Sequence, residues 1–358
     1  MALKLPVTVK DLPEERVQQR KAQGLNPLQA IVYTEPGDVL LPEPYKRAAE
    51  KLYNFKYRSD DIVVTTYPKS GTLWTMELVW AMTHLDQFQL PQKKHTNERV
   101  QAELAKVRPG PIDEECLTLQ LAEAATAPRI IWTHLPLKLL HPDLLNTCKV
   151  VYVARNPKDI CVSFYHFLME LKGRFFSGTF ENVLDAFIAD NLLYGPYWDH
   201  IRQARQQKDN PNFHMMFYED MKTDILQELR KLSTFLGLQL DDAMLLKIAD
   251  YAHFDRMKSN SELRPKLLRR QPLRGQAGRR LGPDRDPGGR GQDGPLDSRE
   301  RQRLGLYLQI PMNGMRPCLP SRRASRESWP RCVWWAAPVT SSGSLGLLVS
   351  ASLPGGRS

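Results

Sequence analysis

Four short apolar runs along the chain predict buried strands, because their β-branched and aromatic residues suit a sheet covered on both faces. They are Ile62–Thr66, Arg129–Thr133, Lys149–Ala154 and Phe213–Tyr218. After Gly71, and again after Pro157, apolar residues recur every three or four positions, which is the spacing of a helix. Strands that alternate with helices predict an α/β fold whose central parallel sheet is flanked by helices.

The stretch TTYPKSGTLW, residues 65–74, lies where the first predicted strand becomes a helix. The first backbone N–H groups of a helix have no internal partners and favour an anion. Gly71 permits close approach of the backbone, Ser70 and Thr72 add hydroxyl donors, and Lys69 adds a mobile positive charge. This strand–loop–helix therefore predicts a P-loop-like phosphate site, although an ordinary turn with a solvated lysine has the same composition.

A second polar pair follows the third predicted strand, in VVYVARNPKDICVSFYHF, residues 150–167. Arg155 comes directly after the strand, and Ser163 lies within the predicted helix. A guanidinium suits phosphate because its planar fork can donate two hydrogen bonds. A structural ion pair is the alternative, and it is the commoner role of a single strand-end arginine.

Together these stretches closely resemble the signature regions of the cytosolic sulfotransferases, which transfer a sulfuryl group from 3′-phosphoadenosine 5′-phosphosulfate (PAPS) to a hydroxyl or amine. Three further stretches match in the same order: IIWTHLPLKLL from Ile130, FYEDMK from Phe217 and YAHFDRMKSN from Tyr251. Five ordered matches are far more specific than any one of them. The resemblance implies a sulfotransferase domain over residues 36–260 after an N-terminal segment, 1–35, with PAPS as co-substrate.

The resemblance also implies residue roles. His134 matches the catalytic base, and Lys69 matches the cation that neutralises the bridging oxygen of the departing nucleotide. A neutral imidazole, with an ordinary pKa of about 6.5, can accept a proton from a hydroxyl. In isolation His134 would rather be a hydrogen-bonded loop residue, and the matched aromatics would be core residues. The matched nucleotide-binding positions are Lys69, Ser70, Gly71, Thr72, Leu73, Trp74, Arg155, Ser163, Tyr218 and Phe254.

The sequence departs from the family pattern at three of these regions. Leu73 stands where the family often has a second threonine, so one hydroxyl is lost while the backbone N–H remains. Trp132 stands where many relatives have lysine, and alternation along a strand places it on the same side as His134. Ala252 replaces a frequent threonine. The aromatic at 132 favours an apolar acceptor.

The last family signature, R-K-G-x-x-G-D-W, which supplies further cations to the 3′-phosphate, is missing after residue 260. Residues 261–358 instead form a tail rich in Arg, Gly and Pro, whose composition is typical of a disordered segment. Codons for Gly275–Gly282 can be chosen so that reading one base later gives Gly-Lys-Pro-Gly-Asp-Gly-Trp. We therefore hypothesise that the tail is out of frame.

The tail also differs in net charge from the residues before it. The net charge of +10 resides in the tail, where 17 Arg and one Lys face seven acidic residues. Few aromatic residues interleave with these arginines, so the composition argues against a nucleic-acid partner. The five cysteines include no C-x-x-C pair, and the histidines are scattered, which predicts free thiols in a reducing compartment and no metal. With no apolar leader or membrane span, the sequence predicts a cytoplasmic protein that does not enter membranes.

The predicted function is sulfuryl transfer from PAPS to a small apolar acceptor, such as a phenol, an alcohol or a steroid-like molecule. Trp132, Phe164, Phe167 and the stretch LMELKGRFF suggest its pocket. One alternative is a catalytically impaired relative with an incomplete 3′-phosphate site. Another is a P-loop-like nucleotide kinase, against which the absence of a Walker lysine argues. The resemblance implies a possible homodimer, although the usual C-terminal dimer segment is not found.

Overall fold

The computed structural model describes residues 2–25, 30–88, 122–123, 125, 127–170 and 176–253. Phe254 and the tail therefore lie outside the described residues. Within this part of the chain, no helix combines the length and the apolar character that crossing a bilayer requires.

The N-terminal part forms a three-stranded antiparallel sheet. Its strands are β1 (Thr8–Asp11), β2 (Ile31–Glu35) and β3 (Leu40–Pro42), with β2 in the centre. The sheet joins the segment 1–35 to the residues that follow it, because β2 pairs with β3. No sequence pattern had predicted these strands.

The central sheet has four parallel strands. These are β4 (Ile62–Thr66), β5 (Ile130–Thr133), β6 (Lys149–Ala154) and β7 (Phe213–Phe217), in the spatial order β5-β4-β6-β7. All four predicted strands are present, which confirms the parallel α/β class. Two predictions were one residue too long, because β5 begins at Ile130 rather than Arg129 and Tyr218 begins a helix rather than ending β7.

Helices precede, connect and flank the strands. In chain order they are α1 (Glu14–Ala22), α2 (Pro44–Tyr53), α3 (Thr72–Thr83), α4 (Leu85–Phe88), α5 (Leu144–Thr147), α6 (Pro157–Glu170), α7 (Phe180–Ile188), α8 (Tyr197–Gln206), α9 (Tyr218–Thr223), α10 (Ile225–Leu236) and α11 (Asp242–Tyr251). A 3₁₀ turn, Leu137–Leu139, follows β5.

The central sheet is buried on both faces, and alternate residues of each strand pack into two separate apolar clusters. Val63 and Tyr152 belong to one cluster, with residues of α2, α6 and α7. Val64 and Val153 belong to the other, with residues of α3, α10 and α11. This division follows from the period of two along a strand.

A buried ion pair joins the amino ends of β4 and β5. The Arg129 guanidinium donates to both carboxylate oxygens of Asp61, over 2.6 and 2.5 Å, and both side chains are almost fully buried. Arg129 also donates to the carbonyl of Ala122. This pair lies at the amino ends of the strands, whereas ligands of α/β folds bind at the opposite, carboxyl ends.

Candidate active site

The turn between β4 and α3 has an unusual backbone. Lys69 and Gly71 both adopt positive φ angles, +71° and +113°, and Gly71 immediately precedes the first residue of α3. No side chain of the described residues caps this helix, and its first turn contains no acidic residue. The helix therefore presents its N-terminal N–H groups and the positive end of its dipole without an internal anion to offset them.

Three buried polar atoms around this turn have no hydrogen-bond partner among the described residues. They are Ser70 Oγ, Trp74 Nε1 and Arg155 Nε. Such unpaired buried groups are rare because each costs desolvation free energy. Their concentration beside an uncapped helix N-terminus indicates that the site is built to bind an anionic, hydrogen-bonding ligand.

Lys69 projects its ammonium group against an aromatic wall, with Nζ 4.7 Å from the ring centroid of Phe167. The pKa of Lys69 is lowered to about 7, chiefly by burial; Glu170 opposes the shift and the charge of Arg155 adds to it. The Lys69 carbonyl accepts a hydrogen bond of 2.9 Å from Arg155. The Lys69 backbone thus holds the side chain of the second basic residue of the site, Arg155, at this turn.

Arg155 follows the last residue of β6, and its guanidinium stacks over the Tyr218 ring at 4.2 Å. The edge of Tyr218 in turn meets Trp74, with ring centroids 5.6 Å apart. A Cβ on Gly71 would lie 2.9 Å from Tyr218 Cδ2, which is too close. Glycine is therefore required at position 71 both by its positive φ and by the approach of this ring.

His134 follows the last residue of β5 and is almost fully buried. Its Nδ1 lies 2.9 Å from the Thr66 carbonyl, and because a carbonyl only accepts, Nδ1 carries the proton. In the neutral ring Nε2 is then the acceptor, and no described residue donates to it. Burial lowers the pKa of His134 to about 4, below the 6.5 expected from the sequence, so the ring is neutral at pH 7.

Two hydrogen bonds connect this histidine to the anion-binding turn. Thr66, which ends β4, accepts from His134, and its hydroxyl lies 2.7 Å from that of Thr72 at the start of α3. Sequence reasoning missed Thr66, and the pair of threonines at a strand end beside the turn was the only available signal. Trp132 contacts His134 edge to face, with centroids 5.6 Å apart, as strand alternation predicted.

The structure brings together most of the sequence-predicted positions. Lys69, Ser70, Gly71, Thr72 and Trp74 belong to one turn and the helix it starts, and Arg155 and Tyr218 pack against them. Leu73 is half-buried on α3. Ser163 is buried on α6 but makes no hydrogen bond to Arg155. The predicted position Phe254 lies outside the described residues.

Metal-ligating side chains are not clustered in the described part of the chain. No three His, Cys, Asp or Glu side chains there lie close enough to hold a metal ion. Cys148 and Cys161 are free and buried. Burial raises the pKa of each thiol to about 12, so neither supplies a thiolate at neutral pH.

These features define an α/β protein that binds phosphate-like groups. Its parallel sheet leads into a cationic turn and a helix that no described side chain caps, and a buried neutral histidine lies beside this turn. Comparison with known proteins identifies the family, because the sulfotransferase domain family matches residues 59–280. The chain belongs to the sulfotransferase family. This membership favours the sulfotransferase interpretation over the nucleotide-kinase alternative.

Individual relatives are identical to the chain at about a third of the aligned positions. Luciferin sulfotransferase of Photinus pyralis is 33% identical over 60% of this chain and 61% of its own length. Sulfotransferase 1C2 of Oryctolagus cuniculus is 32% identical over 69% of this chain and 78% of its own. Among solved structures, retinol dehydratase in complex with androsterone and inactive cofactor PAP has a TM-score of 0.58 and 26% identity, covering 72% of this chain and 83% of that one.

Proposed function

We propose that this protein transfers the sulfuryl group of PAPS to the hydroxyl or amine of a small apolar acceptor in the cytoplasm. One observation carries the proposal: around the uncapped N-terminus of α3, three buried polar atoms have no partner among the described residues. They lie next to a histidine whose Nε2 accepts no hydrogen bond from those residues. The solved structure of retinol dehydratase in complex with PAP supports the choice of nucleotide.

The residues present fit such a nucleotide. The turn from Lys69 to Thr72 would hold the phosphosulfate through backbone N–H groups, the Ser70 hydroxyl and the Lys69 ammonium. Arg155 would hold the 3′-phosphate, aided by Ser163, while Trp74 and Tyr218 would contact the base and ribose. When bound, PAPS supplies the electrophilic sulfur.

His134 would act on the acceptor. Its Nδ1–H is fixed by the Thr66 carbonyl, so the lone pair of Nε2 can receive the proton of an attacking hydroxyl. The depressed pKa keeps the imidazole deprotonated at neutral pH, at the expense of base strength. Anionic phosphates nearby would raise that pKa and thereby improve the base.

Lys69 would neutralise the negative charge that develops on the leaving phosphate oxygen. Because its pKa is lowered to about 7, a large share of this lysine is neutral in the free protein at pH 7. An anionic ligand favours the charged form, so binding and protonation of Lys69 reinforce each other.

The side chains that would line the acceptor pocket are aromatic. Phe167 lies against Lys69, Phe164 packs edge to face against Phe167, and Trp132 contacts His134. Aromatic side chains beside Lys69 and beside His134 favour a flat phenol, alcohol or steroid-like acceptor over a charged one. Retinol dehydratase, whose solved structure contains androsterone, is consistent with this class.

The test is transfer of radiolabelled sulfate from PAPS to a panel of phenols, alcohols, steroids and amines. It should use the full chain beside a version whose residues after 260 are encoded in the shifted frame. We expect transfer to apolar hydroxyl acceptors, with tighter nucleotide binding by the frame-shifted version. PAP binding without transfer by either version would favour a catalytically impaired relative, and absence of PAP binding by both would refute the proposal. Sedimentation of both versions tests the possible homodimer.

A further inference from the structure

One face of α8 contacts the carboxyl ends of two strands. Tyr197 and His200 are three residues apart and so lie on the same side of this helix. The Tyr197 hydroxyl donates to the Arg155 carbonyl over 2.6 Å. His200 Nε2 donates to the His134 carbonyl over 3.1 Å. Each accepting carbonyl belongs to the residue that immediately follows a strand, β6 or β5.

The protonation state of His200 is fixed by its partners. A carbonyl only accepts, so Nε2 carries the proton, and Nδ1 therefore accepts from the Tyr152 hydroxyl, 2.8 Å away. The ring is fully buried and meets the edge of Tyr67, with centroids 5.8 Å apart. Burial lowers the pKa of His200 to about 4, which keeps this arrangement uncharged at neutral pH.

His134 is consequently fixed at two points. Its side chain is held by the Thr66 carbonyl and its own carbonyl by His200. The hydrogen bond from His200 restrains the His134 carbonyl and so the backbone that carries the imidazole. Tyr197 likewise restrains the carbonyl of Arg155, whose side chain contacts the turn through the Lys69 carbonyl.

We propose that α8 is a two-point positioning helix, in which His200 orients the base His134 and Tyr197 orients the phosphate-binding Arg155. For its catalytic consequence, this inference rests on the proposed function. Neither residue touches the reacting atoms in this scheme. Together they set the spacing between the proton acceptor that follows β5 and the cation that follows β6.

The first experiment separates turnover from binding in three variants of the full chain. His200→Leu removes the donor, His200→Gln retains an N–H at about the same reach, and Tyr197→Phe removes only a hydroxyl. We expect His200→Leu to lower kcat on the order of 10- to 100-fold while the Kd for PAP changes less than about threefold. His200→Gln should restore most of kcat, and Tyr197→Phe should raise the Kd more than it lowers kcat.

The second experiment needs no activity and covers the case in which the wild-type chain transfers no sulfate. The Nδ1–H of His134 should give a slowly exchanging downfield proton resonance, assigned by its loss in His134→Ala. We expect this resonance to persist in His200→Gln and Tyr197→Phe and to broaden or vanish in folded His200→Leu. Should His200→Leu fail to fold, Tyr197→Phe still tests the Arg155 half through PAP affinity.

Three results would overturn the inference. They are a resonance unchanged in folded His200→Leu, no recovery in His200→Gln, or an unaltered PAP affinity in Tyr197→Phe. If the wild-type chain transfers no sulfate but the resonances behave as expected, the proposed function is rejected and the positioning role stays supported.

Discussion

Two strand-to-helix turns at the same edge of the sheet satisfy their polar groups in opposite ways. Within the part of the chain that the structure describes, the turn from β4 to α3 leaves its helix without a side-chain cap and Ser70 Oγ without a partner. The turn from β6 to α6 is capped, since Asn156 Oδ1 accepts from the Lys158 N–H over 2.9 Å and Asp159 lies in the first helical turn. The first turn can therefore bind an anion through backbone, whereas the second offers only the Arg155 side chain.

The largest expected effect that separates the two turns is that of Gly71→Ala. A positive φ costs an L-residue about 1–2 kcal/mol, and here the new Cβ would also meet Tyr218 at 2.9 Å. We expect lower stability and a loss of PAP affinity on the order of 100-fold. Thermal unfolding and calorimetric titration measure the two quantities.

Gly237→Ala is the matched control for this change. Gly237 follows the last residue of α10 with φ +74°, and no atom of the described residues lies within 4 Å of its Cβ position, so only the backbone cost applies. Equal losses of PAP affinity in the two variants would contradict a specific role for the close approach at Gly71.

The next effect is that of Ser70→Ala. Because Ser70 Oγ has no partner among the described residues, its removal should leave the free energy of unfolding unchanged or slightly higher. A hydrogen bond to a charged group is worth about 1.5–3 kcal/mol, so PAP affinity should fall roughly 10- to 150-fold. Thr83→Ala, which removes a hydroxyl bonded to Val79 at the far end of α3, should show the reverse pattern. An unaltered PAP affinity in Ser70→Ala would contradict the account of this turn.

A smaller effect is the uptake of a proton when PAP binds. We expect it from Lys69 and not from Arg155. The pKa of Lys69 is lowered to about 7 in the free protein, and a bound anion raises it. Above pH 7, PAP binding should therefore absorb up to one proton, and affinity should fall by up to about tenfold per pH unit. Calorimetry in buffers of different ionisation enthalpy measures the uptake. Lys69→Met should abolish it and Lys158→Ala should retain it, and its absence in the wild type would contradict the prediction.

The smallest effect on binding is expected at the capped turn. Asn156→Ala removes the acceptor for the Lys158 N–H and should lower the free energy of unfolding by about 0.5–2 kcal/mol. PAP affinity should stay within about twofold, because the cap faces its own helix. Chemical denaturation beside calorimetry provides both values. A large loss of affinity without loss of stability would show that this turn also binds the anion directly.

The sequence predicted the parallel sheet well because its strands, such as Lys149–Ala154, are continuous apolar runs buried on both faces. It did not predict β1, whose four residues are mostly exposed and are held by pairing with β2. Local pattern carries no signal for such a strand.

The same distinction applies to the site. Lys69, Ser70 and Gly71 are neighbours in sequence, so their turn could be predicted from one stretch. The bonds from His134 to Thr66 and from His200 to His134 span 68 and 66 residues, and only the fold creates them. The depressed pKa of His134 was equally invisible, because it arises from burial.

The central claim is that His134 accepts the proton while the anion-binding turn holds PAPS independently of it. The most direct test is single-turnover transfer of labelled sulfate by wild type and His134→Ala, with PAP affinity measured on both. The account predicts that the variant transfers sulfate about 10²- to 10⁴-fold more slowly and binds PAP within about twofold of wild type. Near-normal transfer by His134→Ala would contradict it.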